Sequence, residues 1–369
     1  MTEPVSSSGN APVNFAYVGC GFVAQRIHIP NFVSQPNCRF VALAEARPDL
    51  GREVAARYGI PKVYTSHEQI AADPEIEAVG VSGPYALQGK IAGELLQAGK
   101  HVFMEKPMAV SVSRAESLVE IVRSGTARLM VGYMKRYDPG NLMLKRYIDE
   151  WRSTGEMGRL LLARNHGFGG NWTYAQDPNV PQSTSAETPP PAPDECPEWL
   201  PDKWKGSYLG YLQQWTHNVN LLRFFLEGAD KNTRVVTVDL DEDGMTGLLV
   251  LDIEGSRAVV ESAYTNFHSW EEHTQIYFEK AWLRTTAPAL MQKETSATLE
   301  IYRAGQEGQP ARLTEEFPPP AWSYREEAKA FLRGIRTGEE FPSSAADTLH
   351  DVRLFEEIYK RWLSETGKL

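Results

Sequence analysis

Between residues 14 and 134, short apolar runs alternate with stretches of helical periodicity, and this alternation restricts the fold more than any other feature. The runs at 15–18, 38–46, 78–84, 101–107 and 128–134 read as strands. The segments between them, "PDLGREVAARYG", "QGKIAGELLQAGK" and "VSRAESLVEIVRSG", read as helices. Strands that alternate with helices in this way make a parallel sheet covered on both faces. The carboxyl ends of its strands then converge on one crevice, the place where a dinucleotide lies.

The first strand runs into Gly19-Cys20-Gly21-Phe22-Val23-Ala24, which fits G-x-G-x-x-A. Gly19 would allow the turn, Gly21 would let a pyrophosphate approach the backbone, and Ala24 would keep the helix close to the strand. The helix start offers free N–H groups and a partial positive charge to phosphates. The second strand ends at Glu45, at roughly the spacing of a ribose ligand. A carboxylate there accepts from ribose hydroxyls and repels a 2′-phosphate, so NAD is expected over NADP. Arg47 works against that preference, because it can pair with such a phosphate.

A net charge of −10 excludes a broad nucleic-acid surface. The three cysteines, Cys20, Cys38 and Cys196, have neither metal-ligand nor disulfide spacing, so no metal is expected and a reducing, cytoplasmic setting is. Residues 1–13 lack the features of a signal peptide and read as a flexible tail. No apolar run is long enough for a bilayer, so no membrane partner is expected.

Past residue 136 the pattern changes to strands at 159–168, 233–240, 247–253, 257–265 and 272–286, spaced for an antiparallel sheet. Helices are expected at 208–228, 324–338 and 345–363. The division is thus a Rossmann NAD-binding domain at 14–136 and an α+β substrate and oligomerisation domain at 137–369. The second carries a Pro- and Trp-rich insertion at about 169–207. His268 and His350 read as structural or exposed.

In their order and spacing, "GCGFVA", Glu45, "VSGP", "EKP" (105–107), "GYMKRYDP" and "HNVNLLRFFLEG" resemble the glucose–fructose oxidoreductase, inositol dehydrogenase and MocA family, over nearly the whole chain beyond the tail. The resemblance implies a dinucleotide site at Gly19, Gly21, Phe22, Val23, Glu45, Arg47, Ser82, Gly83, Pro84, Gln88, Glu105 and Lys106. It also implies a catalytic Lys106 at the nicotinamide and the substrate hydroxyl. A lysine at the end of a central strand loses basicity on burial and can share a proton with a hydroxyl. Tyr133, Lys135 and Arg136 would lie near the cleft; ordinary surface charge is the other reading of the last two. The family's Asp-x-Gly-x-His-x-x-Asp helix register becomes Gln213-x-Trp215-x-His217-x-x-Asn220 here. His217 would be the general base or acid. Gln213 and Asn220 replace carboxylates and can orient an imidazole without stabilising its cation. Trp215 either lines the pocket or packs the helix. An open sheet with a second apolar face implies a homodimer or homotetramer formed there.

The insertion supplies Trp172, Trp199, Trp204, Tyr174 and Tyr208, whose flat faces suit sugar or cyclitol rings. A packed lid or an arm to a neighbouring subunit is the alternative. From Asn171 to Asp202 there is no Lys or Arg, while acids stand at Asp177, Glu187, Asp194, Glu195, Glu198 and Asp202. Such a rim attracts cations. The expected function is an NAD-dependent oxidoreductase of a sugar or cyclitol, with an aminosugar or aminoglycoside as the finer expectation. The alternatives are a nucleotide-sugar ketoreductase using NADPH and a non-catalytic dinucleotide or sugar sensor.

Overall fold

A computed structural model describes residues 11–189, 191–228, 231–266, 269–305 and 308–369. Most of the expected tail, and His268, lie outside the described residues. The chain forms two compact units that interleave along the sequence. The first comprises 1–132, 178–196 and 324–349; the second comprises 133–177, 197–323 and 350–369. The sequence pattern suggested one boundary near 136.

In the first unit, β1 (Val13–Val18) leads through a π-helical turn (Ala24–His28) into α1 (Ile29–Val33). There follow β2 (Cys38–Ala44), α2 (Pro48–Tyr58), β3 (Lys62–Tyr64), α3 (His67–Ala72), β4 (Ala78–Val81), α4 (Tyr85–Gln97), β5 (His101–Glu105), α5 (Val112–Ser124) and β6 (Leu129–Gly132). All pairings are parallel, in the order β3-β2-β1-β4-β5-β6. The order reverses between β1 and β4, so the Rossmann crevice opens at their carboxyl ends. The π turn has a local cause. Pro30 has no N–H for a helical bond, and the Ile29 N–H reaches five residues back to the Ala24 carbonyl.

The second unit holds α6 (Pro139–Thr154), β7 (Leu160–Gly167), α7 (Lys205–Leu226), β8 (Thr233–Leu240), β9 (Gly247–Ile253), β10 (Ser256–Ser262), β11 (Glu272–Phe278), β12 (Ala281–Thr286), β13 (Thr298–Arg303) and β14 (Arg312–Glu316). The sheet order is β14-β13-β12-β11-β7-β10-β9-β8. Only the β7–β10 pair among these is parallel. The run at 272–286, expected as one strand, is the β11–β12 hairpin, broken where Glu279 and Lys280 leave the ladder to bond Arg159 and Met157. In β7, β10, β11 and β12 one residue in two is buried, so one face of the sheet is core and the other is half-buried.

The chain closes with α8 (Ser323–Thr337) and α9 (Ala345–Glu365). Phe331 of α8 fits among Phe15, Phe32 and Phe103, which explains why this helix belongs with the first sheet. Beside it, the Ser343 carbonyl accepts the Val131 N–H at 2.9 Å, which covers the β6 edge. The far end of α9 packs Tyr359 and Trp362 against Tyr208, Tyr211 and Trp204 in the second unit. No helix among the described residues is long and apolar enough to cross a membrane.

Candidate active site

The glycine turn meets the steric demands of a phosphate cradle. Gly19 has φ +97°, and a Cβ there would fall 2.2 Å from the Ser82 carbonyl oxygen, so only glycine fits. A Cβ at Gly21 or Gly83 would meet nothing within 4 Å. Backbone is therefore open to a ligand at both positions, and a side chain would occupy that space. Ser82 anchors the crossover by donating its N–H to the Val18 carbonyl at 3.1 Å, and Pro84 opens α4. Phe22 and Val23 form the first helical residues after the turn. These features fit a dinucleotide.

Glu45 is buried just past β2. Its carboxylate accepts the Cys20 N–H at 2.7 Å and, from Arg47, the backbone N–H at 3.1 Å and the guanidinium at 2.6 and 3.2 Å. Four donors fill the lone pairs of a carboxylate. A ribose hydroxyl would have to displace one of these donors to reach Glu45. Cys20 beside it is inert, because burial, followed by the Glu45 charge, pushes its thiol well above the usual range.

Lys106 follows β5 and is 7 % exposed. Its ammonium donates to the Tyr85 hydroxyl at 3.2 Å and lies 5.4 Å from that ring. Burial pulls it down to about 8, with the Glu105 carboxylate pulling the other way. The peptide before Pro107 is cis. Gln88 is wholly buried and donates to the Glu105 carbonyl at 2.9 Å and the Pro107 carbonyl at 2.8 Å. It thereby fixes both sides of the Lys106 turn.

Part of the insertion belongs to this unit, a relation that sequence spacing does not reveal. Gln25, wholly buried, donates to the Cys20 carbonyl of the glycine turn at 2.7 Å and to the Ser183 carbonyl at 3.0 Å. It accepts the Ser183 N–H at 2.8 Å. Arg26 bonds the Val180 carbonyl, and Arg114 grips Glu195 at 2.7 and 2.8 Å. Residues 178–196 are thus laced to the dinucleotide-type turn. Acids of the expected acidic rim have basic partners: Glu195 has Arg114, Asp177 has Lys293 at 2.9 Å, and Asp202 has Lys205 at 2.5 Å.

In the second unit α7 carries His217 and Gln213, four residues apart on one helix face. His217 is half-buried and Gln213 exposed. Other expected site residues are committed to the interior. Trp215 is wholly buried, stacks on Tyr211, and donates its indole N–H to the Met245 carbonyl at 2.8 Å. This is the helix-packing alternative rather than a pocket wall. Tyr208 is wholly buried against Tyr211 and Tyr359. Asn220 accepts from Arg136 at 2.8 Å and donates to Asp351 at 2.6 Å, and Asp351 in turn holds Arg223. Lys135 pairs with Glu272 and is buried with it. Lys135 and Arg136 are interior ties, not surface charge. Tyr133 is buried, and Trp172 is half-buried. Gln214 was overlooked in the sequence: it donates to the carbonyls of Gly167 and Ala263, each at 2.7 Å, and sews α7 to the sheet.

Residues 13–133 match the family model GFO_IDH_MocA, described as "Oxidoreductase family, NAD-binding Rossmann fold". Levoglucosan dehydrogenase of Pseudarthrobacter phenanthrenivorans is 30 % identical over 183 residues, 46 % of this chain and 44 % of that protein. The aligned stretch therefore spans less than half of that relative. Inositol 2-dehydrogenase of Rhizobium meliloti is 22 % identical over 353 residues, 93 % of this chain and 94 % of that protein. Among solved structures, a 3-ketoreductase from Actinomadura kijaniata in complex with NADP and TDP-benzene shares the fold with a TM-score of 0.71 and 18 % identity, covering 95 % of this chain and 97 % of that one.

Proposed function

We propose that the chain, whose residues 13–133 match the Gfo/Idh/MocA oxidoreductase model, transfers hydride between a nicotinamide dinucleotide and a secondary hydroxyl or ketone carbon of a sugar or cyclitol. The observation that carries this reading is Lys106: a buried ammonium on a fixed turn, held near pKa 8, in the unit that bears the glycine cradle. The dinucleotide supplies the hydride acceptor or donor. The backbone of Gly19 to Val23 and of Ser82 to Pro84 would hold its phosphates, and Glu45 its ribose. In the oxidation direction Lys106 would donate a hydrogen bond to the substrate oxygen as negative charge grows on it, and His217 is the separate candidate for the general base. In reduction the group that served as base returns its one proton to the ketone oxygen.

NAD is the preferred cofactor in this reading, since Glu45 disfavours a 2′-phosphate. A nucleotide-linked sugar with NADPH is the second reading. It is favoured by Arg47 beside Glu45 and by the NADP- and TDP-benzene-bound ketoreductase of like fold. An amino-bearing ring is the finer form of the first reading. Its support is the acid run, in which Asp194 and Glu198 are exposed. A homo-oligomer through the half-buried sheet face belongs to the same proposal, on the strength of Trp282 stacked on Tyr302 at 5.8 Å on that face. The three cysteines are free thiols, in keeping with a reducing, cytoplasmic setting.

The test follows nicotinamide absorbance with NAD and NADP across neutral, aminated and nucleotide-linked sugars and cyclitols. Lys106→Ala and His217→Ala should each lower kcat/KM by about 10²-fold or more. Full activity in both removes the assignment. A clear preference for neutral or nucleotide-linked rings removes the amino-sugar form.

A further inference from the structure

Behind the Lys106 turn, three ionisable side chains from separate elements meet in the interior of the first unit. They are His28 of the π turn, Glu105 at the end of β5 and Glu327 of α8. His28 Nε2 lies 2.7 Å from Glu105 Oε1. Its Nδ1 faces Glu327 Oε1 at 4.0 Å, beyond hydrogen-bond range. The imidazole thus stands between two carboxyl groups, one nitrogen toward each.

Glu327 is 0 % exposed, and neither of its oxygens has a hydrogen-bond partner among the described residues. An ionised carboxylate without partners in that place is costly. Burial, followed by the Glu105 charge, pushes its pKa well up, so Glu327 is the neutral acid. The imidazole is clamped by Tyr17 stacked at 6.0 Å, with Phe103 and Tyr324 edge-on at 5.1 and 6.2 Å. The second Glu105 oxygen accepts the Lys106 backbone N–H at 3.0 Å. Nothing in the motif reading of the glycine turn or of "EKP" gives His28 or Glu327 a task.

We propose that His28 is a positioning residue for Lys106: its Nε2–H donates to Glu105 and fixes that carboxyl group beside the lysine, while Glu327 walls the other side of the imidazole. This deepens the oxidoreductase reading and rests on it for the role of Lys106. The titratable groups around the chain are Tyr17 from β1, Tyr85 from α4, Glu105 and Lys106 at β5, and Tyr324 and Glu327 from α8. The Glu105 charge opposes the effect of burial on Lys106. Without the Nε2 donor, the Glu105 carboxyl group loses the contact that orients it, and its support of the ammonium weakens.

The titration of Lys106 reads this directly. Reductive methylation of the cofactor-free protein across pH, with the Lys106 peptide quantified by mass spectrometry, gives its midpoint without substrate. Glu105→Gln and His28→Phe should each lower that midpoint by about one pH unit. His28→Gln, which keeps an N–H donor, should restore it, and Glu327→Gln, a neutral isostere of the acid, should leave it unmoved. An unchanged midpoint in Glu105→Gln or in folded His28→Phe overturns the proposal, as does a lowered midpoint in Glu327→Gln. If His28→Phe fails to fold, Glu105→Gln and His28→Gln still decide. The readout involves no hydride transfer, so its failure leaves the proposed reaction standing, and an inactive protein leaves these midpoints valid.

Discussion

The turn at Lys106, in the first unit, and the helix α7, in the second, each carry a candidate proton-handling residue, and they use their residues differently. At the turn, neighbours serve the lysine: Gln88 fixes the carbonyls on either side, and Glu105 accepts the lysine's backbone N–H while its charge supports the ammonium. On α7, neighbours serve the fold: Trp215 and Asn220, two and three positions from His217, are buried in packing and in the Arg136–Asp351 network. The difference follows from geometry. A turn at a strand end has solvent or ligand space on one side, whereas a helix lying on a sheet buries most of its circumference. A motif register carried on such a helix names positions, not exposures.

The comparison breaks most readily on α7. Trp215→Ala should cost about 3–5 kcal/mol in urea unfolding, with KM for the substrate changed little at temperatures where the variant remains folded. Arg223→Ala should cost a similar amount, because it takes the cation from between Asp351 and Glu227 in the interior. A Trp215 variant of normal stability with a much raised KM would mean that the helix serves the substrate after all.

A smaller effect separates two glycines of one turn. Gly19→Ala forces a positive φ on alanine and drives Cβ into the Ser82 carbonyl, so a loss of about 2–4 kcal/mol is expected. Gly21→Ala has open space and should keep its stability within about 0.5 kcal/mol. Its loss should appear in dinucleotide affinity, measured by calorimetric titration. Equal dinucleotide affinity in Gly21→Ala and the parent would remove the phosphate role of that position.

These glycines also show why the first unit was the more legible half. Gly19 is required by sterics within the chain's own backbone, and the alternation of apolar runs fixes a parallel sheet through burial on both faces. The β11–β12 hairpin was read as one strand because the break at Glu279–Lys280 has no glycine or proline. The attachment of residues 178–196 rests on Gln25 and Arg114, which are unremarkable in sequence and meaningful only beside Ser183 and Glu195. His28 likewise looks like an ordinary helical histidine until Pro30 imposes the π turn and α8 brings Glu327. Contacts between elements far apart in sequence leave no periodic trace in a single chain.

The Lys106 turn can be sharpened by pH. Its pKa falls from 10.5 to about 8 on folding, so between those values the unfolded chain binds more protons than the native one. Stability attributable to this group therefore rises with pH across that window, by up to about 3 kcal/mol. Lys106→Met should lack this rise, as measured by urea midpoints at pH 7.5 to 10.5 relative to the parent. Parallel curves for the two proteins would place the ammonium in water.

The smallest stability effect tests the exposed face of α7. Gln213→Asp changes a solvent-exposed position and should move stability by less than about 0.5 kcal/mol. Its consequence is electrostatic. A carboxylate one turn from His217 favours the imidazolium, with solvent screening most of the attraction. Where His217 acts as the base of the oxidation, the acidic limb of kcat/KM should shift upward by about half a pH unit. Sodium chloride at 1 M should shrink that shift, since exposed charges are screened within about 3 Å there. An acidic limb fixed against both the substitution and salt would mean that the proton is taken by a group other than His217, and α7 would then be a packing helix along its whole length.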